Sequence, residues 1–153
     1  MASASESPQG VAVVCPYCGA GSVIDLPEAE DDRPCPGCGR LLWFVRKPTD
    51  EAAVLVFLPG LISGSESLPR VDEVISAIGG VSRVALDLSR LRVITSMFLG
   101  MLVSLQRSVV AAGGTLRLFG VSPGQREVFR ATKLETIFRI FGDEPSAMAS
   151  FGG

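Results

Sequence analysis

The chain has 153 residues, of which 47% are hydrophobic and 20% charged, so its composition indicates a globular domain plus a small module rather than a disordered protein. The net charge is −2, and neither half of the chain is basic enough to predict strong nonspecific binding to nucleic acid. Histidine is absent, which removes the commonest general base, and we therefore expect a protein that is not an enzyme.

The first ten residues, 1–10, are small and polar and predict a flexible tail. They lack the basic stretch and the apolar core of a signal peptide. The longest apolar run, Met97 to Val103, is far shorter than the roughly 18–20 residues that a membrane helix needs. We therefore expect a cytoplasmic protein without a membrane span, whose thiols stay reduced.

All four cysteines lie in two short motifs, Cys-Pro-Tyr-Cys-Gly from residue 15 and Cys-Pro-Gly-Cys-Gly from residue 35. Two residues between cysteines allow a tight turn to direct both sulfurs at one ion. The spacing predicts a closed, structural zinc site with four ligands, Cys15, Cys18, Cys35 and Cys38. Iron in a rubredoxin-type site is the less favoured alternative for the same ligands.

Short strands are predicted around these cysteines at Val11–Val14, Val23–Leu26 and Leu41–Val45, with a solvated acidic loop at Glu28–Arg33. Turns that hold a metal between short strands are typical of a zinc ribbon, which we assign to residues 11–46. Such a unit is too small to bury a stable core, so metal binding would supply its folding energy. Residues 47–52 are predicted to be a linker.

The rest of the chain alternates buried strands with amphipathic helices and predicts an α/β sheet flanked by helices. The glycine pairs 79–80 and 113–114 end two of the helices, and Ser122-Pro123 begins another. The predicted elements are strands at 54–58, 84–88 and 115–121, helices at 67–78, 97–112 and 123–132, a short element at 134–141 and a last helical turn at 146–151.

An ordered series of motifs resembles the STAS domain, the domain of anti-sigma factor antagonists, over residues 53–151. We assign residues 53–153 to this STAS-like domain. The motifs are Leu58-Pro59-Gly60-Leu61, Asp87-Leu88-Ser89, Val93-Ile94-Thr95-Ser96, Leu99-Gly100, Ala112-Gly113-Gly114-Thr115-Leu116 and Gly120-Val121-Ser122-Pro123, with the late segments Leu134–Phe141 and Glu144–Phe151.

The resemblance implies a docking face at the start of the helix after residue 95. Switchable antagonists carry Asp-Ser-Ser-Gly there, and the second serine accepts a phosphate. This chain has Thr95-Ser96-Met97-Phe98 instead, so methionine occupies the acceptor position. We expect the usual phosphoserine switch to be missing. Ser96 as a helix N-cap is favoured over Ser96 as a phosphoacceptor.

Helical spacing places Met97 on the polar side of this helix, and we expect an exposed Met97 with Phe98 beside it. Exposed, adaptable apolar side chains suit a partner surface made of Thr95, Ser96, Met97 and Phe98. The alternative, equally weighted, is that Met97 and Phe98 pack against the zinc ribbon or a second copy of the chain.

Two other charged features favour plain structural interpretations. The basic residues Arg126, Arg130 and Lys133 share one helix face, which indicates a solvated surface more than a patch for an acidic partner. Asp87 follows a strand without a neighbouring group for proton transfer, so we expect it to cap the turn at Ser89-Arg90.

Together these features predict a non-catalytic regulatory protein that binds another protein. By resemblance, the partner would be an anti-sigma factor of the serine-kinase type or another STAS-containing protein, and a homodimer is left open. Two alternatives remain. One is a nucleic-acid-binding protein that uses the zinc ribbon, with the STAS-like domain as a regulatory part. The other is a rubredoxin-like electron carrier that holds iron.

Overall fold

A computed structural model describes residues 11–24, 33–35, 37–39, 41–48, 52–58, 71–91 and 94–152. Several predicted features lie outside these residues: the tail at 1–10, most of the acidic loop, and the beginning of the helix predicted from residue 67. No helix among the described residues is long and apolar enough to cross a membrane.

Nine strands and four α-helices form the described chain, with one short 3-10 helix at Leu134–Thr136. The strands are β1 (Val11–Val14), β2 (Gly21–Ile24), β3 (Arg33–Pro34), β4 (Leu41–Leu42), β5 (Phe44–Arg46), β6 (Ala53–Phe57), β7 (Arg83–Asp87), β8 (Thr115–Phe119) and β9 (Arg139–Phe141). The helices are α1 (Val71–Ile78), α2 (Ser96–Ala111), α3 (Pro123–Ala131) and α4 (Glu144–Gly152).

Seven of the strands form one mixed sheet in the order β2-β1-β5-β6-β7-β8-β9. Strands β6 to β9 run parallel to one another, whereas β5 is antiparallel to both β6 and β1. Strands β3 and β4 pair separately as a two-stranded sheet. The predicted α/β sheet flanked by helices is confirmed.

Both faces of the central strands are buried, which explains their continuous apolar sequences. On one face, Leu55, Phe57 and Leu86 pack with α1, α2 and α3 in the largest core cluster. On the other face, Val54 and Ala85 pack beneath α4, while β6 also contributes Val56 to a cluster with the cysteine segment. The cysteine segment and α4 therefore cover neighbouring parts of the same sheet face.

The strand predicted at Leu41–Val45 is divided at Trp43 into β4 and β5. β5 pairs with β6 in the register Phe44↔Phe57, Val45↔Val56 and Arg46↔Leu55. The pairing continues into the predicted linker, since the Lys47 amide donates to the Val54 carbonyl at 2.9 Å. The cysteine segment and the following domain thus share a sheet through β5.

Candidate metal centre and docking face

The four cysteine sulfurs meet in one cluster, although they come from two separate segments. All four Sγ atoms lie within 4.8 Å of one another. The Cys15–Cys38 pair is 3.9 Å apart and the Cys18–Cys35 pair 3.6 Å. Four Zn–S bonds of about 2.3 Å in a tetrahedron require sulfurs about 3.8 Å apart. The donor chemistry and the spacing both fit a four-thiolate metal site, for zinc or for iron.

Each cysteine pair is shaped by a glycine in the left-handed region. The amides of Gly19 and Gly39 donate to the carbonyls of Cys15 and Cys35 at 3.0 and 2.9 Å, and their φ angles are +80° and +78°. An L-residue would be strained at these positions. The two turns are therefore fixed by local sequence, as the Cys-x-x-Cys-Gly pattern predicts.

Backbone amides also point at the sulfurs. The amides of Tyr17 and Cys18 lie 3.3 and 3.4 Å from Cys15 Sγ, and the amide of Gly37 lies 3.2 Å from Cys35 Sγ. A side chain at Gly37 would bring its Cβ to 2.9 Å from Ala20 Cβ and 3.3 Å from Cys18 Sγ. Glycine is therefore needed at residue 37 for the two turns to approach each other.

The thiols differ in how readily they ionise. The backbone amide of Cys38 has the largest effect on Cys35 and, together with that of Gly37, lowers the pKa of this thiol to about 6. The backbone of Ala20 favours the thiolate of Cys18. Partial desolvation and the hydrogen bonds with the three other sulfurs outweigh it and raise the pKa of Cys18 to about 12. The hydrogen bonds among the sulfurs thus lower the pKa of Cys35 and raise that of Cys18, and a bound cation would favour the thiolate form of all four.

The four-cysteine cluster is anchored in a small core of its own. Cys15 and Cys35 are buried, whereas Cys18 and Cys38 are exposed. The two buried cysteines pack with Val13, Leu42 and Val45, and with Val56 and Leu58 of the neighbouring sheet strand.

The four residues at the start of α2, 95–98, have different environments, although the sequence predicts that they form one partner surface. The N-cap is Thr95, whose Oγ1 accepts a hydrogen bond from the Phe98 amide at 3.1 Å. Ser96 is instead the first residue of the helix and is exposed, so its predicted N-cap role is wrong. A β-region backbone suits a cap, and Thr95 is the residue that adopts it.

Met97 and Phe98 have opposite environments. Met97 is 52% exposed, as predicted, but Phe98 is fully buried and its ring lies 5.3 Å from that of Phe57. The prediction of an exposed Phe98 is therefore wrong. Phe98 is followed at helical spacing by Leu102, Leu105 and Val109, all buried, so its side chain belongs to the face that packs on the sheet.

Asp87 has the predicted capping role. Its Oδ1 accepts hydrogen bonds from the Ser89 amide at 2.9 Å and from the Ser89 hydroxyl at 2.6 Å. Gly120 lies against this turn with a φ of +78°, and a Cβ there would come within 2.7 Å of Ser89 Cβ. The carboxylate is used to shape the loop before α2.

A polar contact between the cysteine segment and α1 was not predicted. The Tyr17 hydroxyl donates to Glu73 Oε1 at 2.5 Å, and Trp43 Nε1 donates to the same carboxylate oxygen at 3.1 Å. Trp43 Nε1 also lies 3.0 Å from the Tyr17 hydroxyl oxygen. We call Tyr17, Trp43 and Glu73 the knuckle–helix contact, where the knuckle is the turn between Cys15 and Cys18. The one sequence signal was a lone tryptophan close to the second cysteine pair, because a buried tryptophan needs a partner for its N–H.

Comparison with known proteins separates the cysteine segment from the rest of the chain. The STAS domain model matches residues 44–147, more than half of the chain. The parallel strands with their flanking helices define an α/β domain, and the chain belongs to the STAS domain family. The match begins at Phe44, so it includes β5 but none of the four cysteines.

Two solved structures share this fold. A Thermotoga maritima protein proposed to be an anti-sigma factor antagonist is 23% identical, with a TM-score of 0.56 over 70% of this chain and 92% of that chain. An anti-sigma-factor antagonist (STAS) domain protein from Planctomyces limnophilus is 19% identical, with a TM-score of 0.56 over 67% of this chain and 92% of that chain. No curated protein sequence matches the chain.

Proposed function

We propose that the chain is a non-catalytic, cytoplasmic regulatory protein that docks onto a protein partner through the exposed start of α2. The partner would be an anti-sigma factor of the serine-kinase type or another STAS-containing protein. The observation that carries this proposal is an exposed Met97 at the N-terminus of α2 in a chain of the STAS family.

The docking face consists of the exposed Ser96, Met97 and Gly100, with Thr95 half-buried as the cap beneath them. Phe98 supports this face from inside the core and would not touch the partner. The flexible thioether of Met97 lies beside Gly100, which has no side chain, and it can therefore adapt to a complementary apolar surface.

Exchanging Met97 for aspartate is expected to weaken binding to the partner at least about tenfold, because a carboxylate would be desolvated in an apolar contact. Complexes captured from the native cell identify the partner, and titration of the purified partner measures the change. The matched control is Val110→Asp, at the other end of the same helix, where Val110 is 55% exposed. Equal losses in both variants, or none in Met97→Asp, would remove this face from the proposal.

We also propose that docking is not switched by phosphate at the usual position, because that position holds methionine. Ser96 is exposed at a helix N-terminus, where a phosphate would be tolerated electrostatically, but it precedes the usual acceptor by one residue.

Intact mass measurement of the protein isolated from its native cell is expected to show no stoichiometric phosphate. A phosphate that is present in the native protein and lost in Ser96→Ala would contradict this prediction and restore a switch at the neighbouring residue.

The four-cysteine cluster is proposed to hold one zinc ion with a structural role. Four thiolates leave no coordination position for substrate or water, which argues against catalysis at the metal. The same ligands accept iron, and a colourless protein that contains one equivalent of zinc would distinguish zinc from an electron-transfer centre.

A further inference from the structure

The knuckle–helix contact joins the first metal-binding turn to the STAS domain. Tyr17 lies between two proposed ligands, Cys15 and Cys18, and its own amide faces Cys15 Sγ. Its hydroxyl reaches Glu73 in the first turn of α1. The position of this hydroxyl therefore depends on the conformation of the turn that the metal would hold.

Strand β5 secures the other end of the same helix. Arg46 Nη1 donates to the Ala77 carbonyl at 2.8 Å, near the last turn of α1. Helices in proteins draw most of their stability from tertiary contacts. Helix α1 is thus held at Glu73 by the cysteine segment and at Ala77 by the strand that this segment shares with the domain.

Aromatic rings continue from the metal-binding turn toward the docking face. The rings of Tyr17 and Phe44 are 6.3 Å apart, and those of Phe44 and Phe57 are 5.9 Å apart. Phe57 packs on Phe98 at 5.3 Å. Phe98 is the direct neighbour of Met97, so this packed row ends beneath the proposed docking face.

We propose that metal occupancy at the four cysteines is coupled through Tyr17 and Glu73 to the order of helix α1, and through the row of aromatic rings from Tyr17 to Phe98 to the docking face. This inference rests on the proposed metal site. The metal-binding turn is the element with two states, because thiol clusters of this kind order when the ion binds. In the loaded state the Tyr17 hydroxyl is fixed against the carboxylate, and in the metal-free state this hydrogen bond is lost.

Hydrogen exchange of the full chain tests the coupling, with one equivalent of zinc and after removal of metal by a chelator. Zinc is expected to slow exchange of the α1 amides at least about tenfold, the effect of one hydrogen bond to a charged group. The amides of β7 are the internal reference and are expected to change much less, since they lie in the centre of the sheet.

Two variants separate the hydrogen bond from packing. Tyr17→Phe keeps the ring but removes the hydroxyl, and it is expected to bind one zinc yet lose most of the zinc-dependent protection of α1. Glu73→Gln keeps an acceptor oxygen and is expected to retain much of that protection. Glu127→Gln is the matched control, since Glu127 is an exposed carboxylate of α3 that pairs with Arg130.

The outcomes distinguish the two proposals. A wild-type protein that binds no metal overturns both the metal site and the coupling. One that binds zinc without any change in α1 exchange overturns the coupling and leaves the metal site intact. Full zinc-dependent protection of α1 in Tyr17→Phe also overturns the coupling. An equal loss of protection in β7 and α1 when zinc is removed from the wild type does the same.

Discussion

Replacement of Phe98 by alanine is expected to lower the free energy of unfolding by about 3–5 kcal/mol, the usual cost of removing a buried aromatic ring. Phe98 is fully buried and packs edge-on against Phe57 at an interplanar angle of 81°. Urea unfolding of the metal-loaded protein, followed by circular dichroism, measures the change.

The neighbouring residue supplies the control. Met97→Ala changes a side chain that is 52% exposed and is expected to shift stability by less than about 0.5 kcal/mol. Similar losses in the two variants would contradict the separation of a buried Phe98 from an exposed Met97. The pair therefore distinguishes residues that support the docking face from residues that form it.

Replacement of Cys35 by serine is expected to weaken zinc binding at least about 100-fold. Changing a group that only orients a ligand costs 10–100-fold in metal affinity, and removing the ligand itself costs more. Cys35 is buried, and its Sγ accepts a hydrogen bond from the Gly37 amide. An outside ligand therefore cannot take the place of the lost sulfur without opening the turn. Competition with a chromophoric chelator measures the affinity.

Gly21→Ala is the matched control for this measurement. Gly21 begins β2 close to the metal-binding turn, but a Cβ there would meet no atom within 4 Å. Its zinc affinity is expected to equal that of the wild type. Unchanged affinity in Cys35→Ser would exclude this cysteine from the metal site.

Much of the fold was predictable because local signals agreed with tertiary ones. Continuous apolar runs such as Val54–Leu58 gave the parallel strands, and Gly113-Gly114 ended α2 at Ala111. Ser122 forms the predicted cap of α3, with Gln125 closing a reciprocal capping box. The cysteine spacing likewise identified which four sulfurs converge, since each turn is determined within five residues.

The failures occurred where several residues compete for one role. Thr95 and Ser96 are both suitable N-caps, and only the backbone conformation selects Thr95. Phe98 shares the buried face of α2 with Leu102 and Leu105, and only its adjacency in sequence groups it with the exposed Met97. The Tyr17–Glu73 contact joins residues 56 positions apart, and no local pattern encodes such a pairing.

Strand β5 belongs to both parts of the molecule at once, since it pairs with β1 through Arg46 and with β6 along its whole length. Two units joined by a loose tether can swing freely, and each then presents its own face independently of the other. Two units that share a strand have no such hinge. When the cysteine turns are ordered, a partner that binds the STAS domain would therefore meet them at a fixed distance and angle.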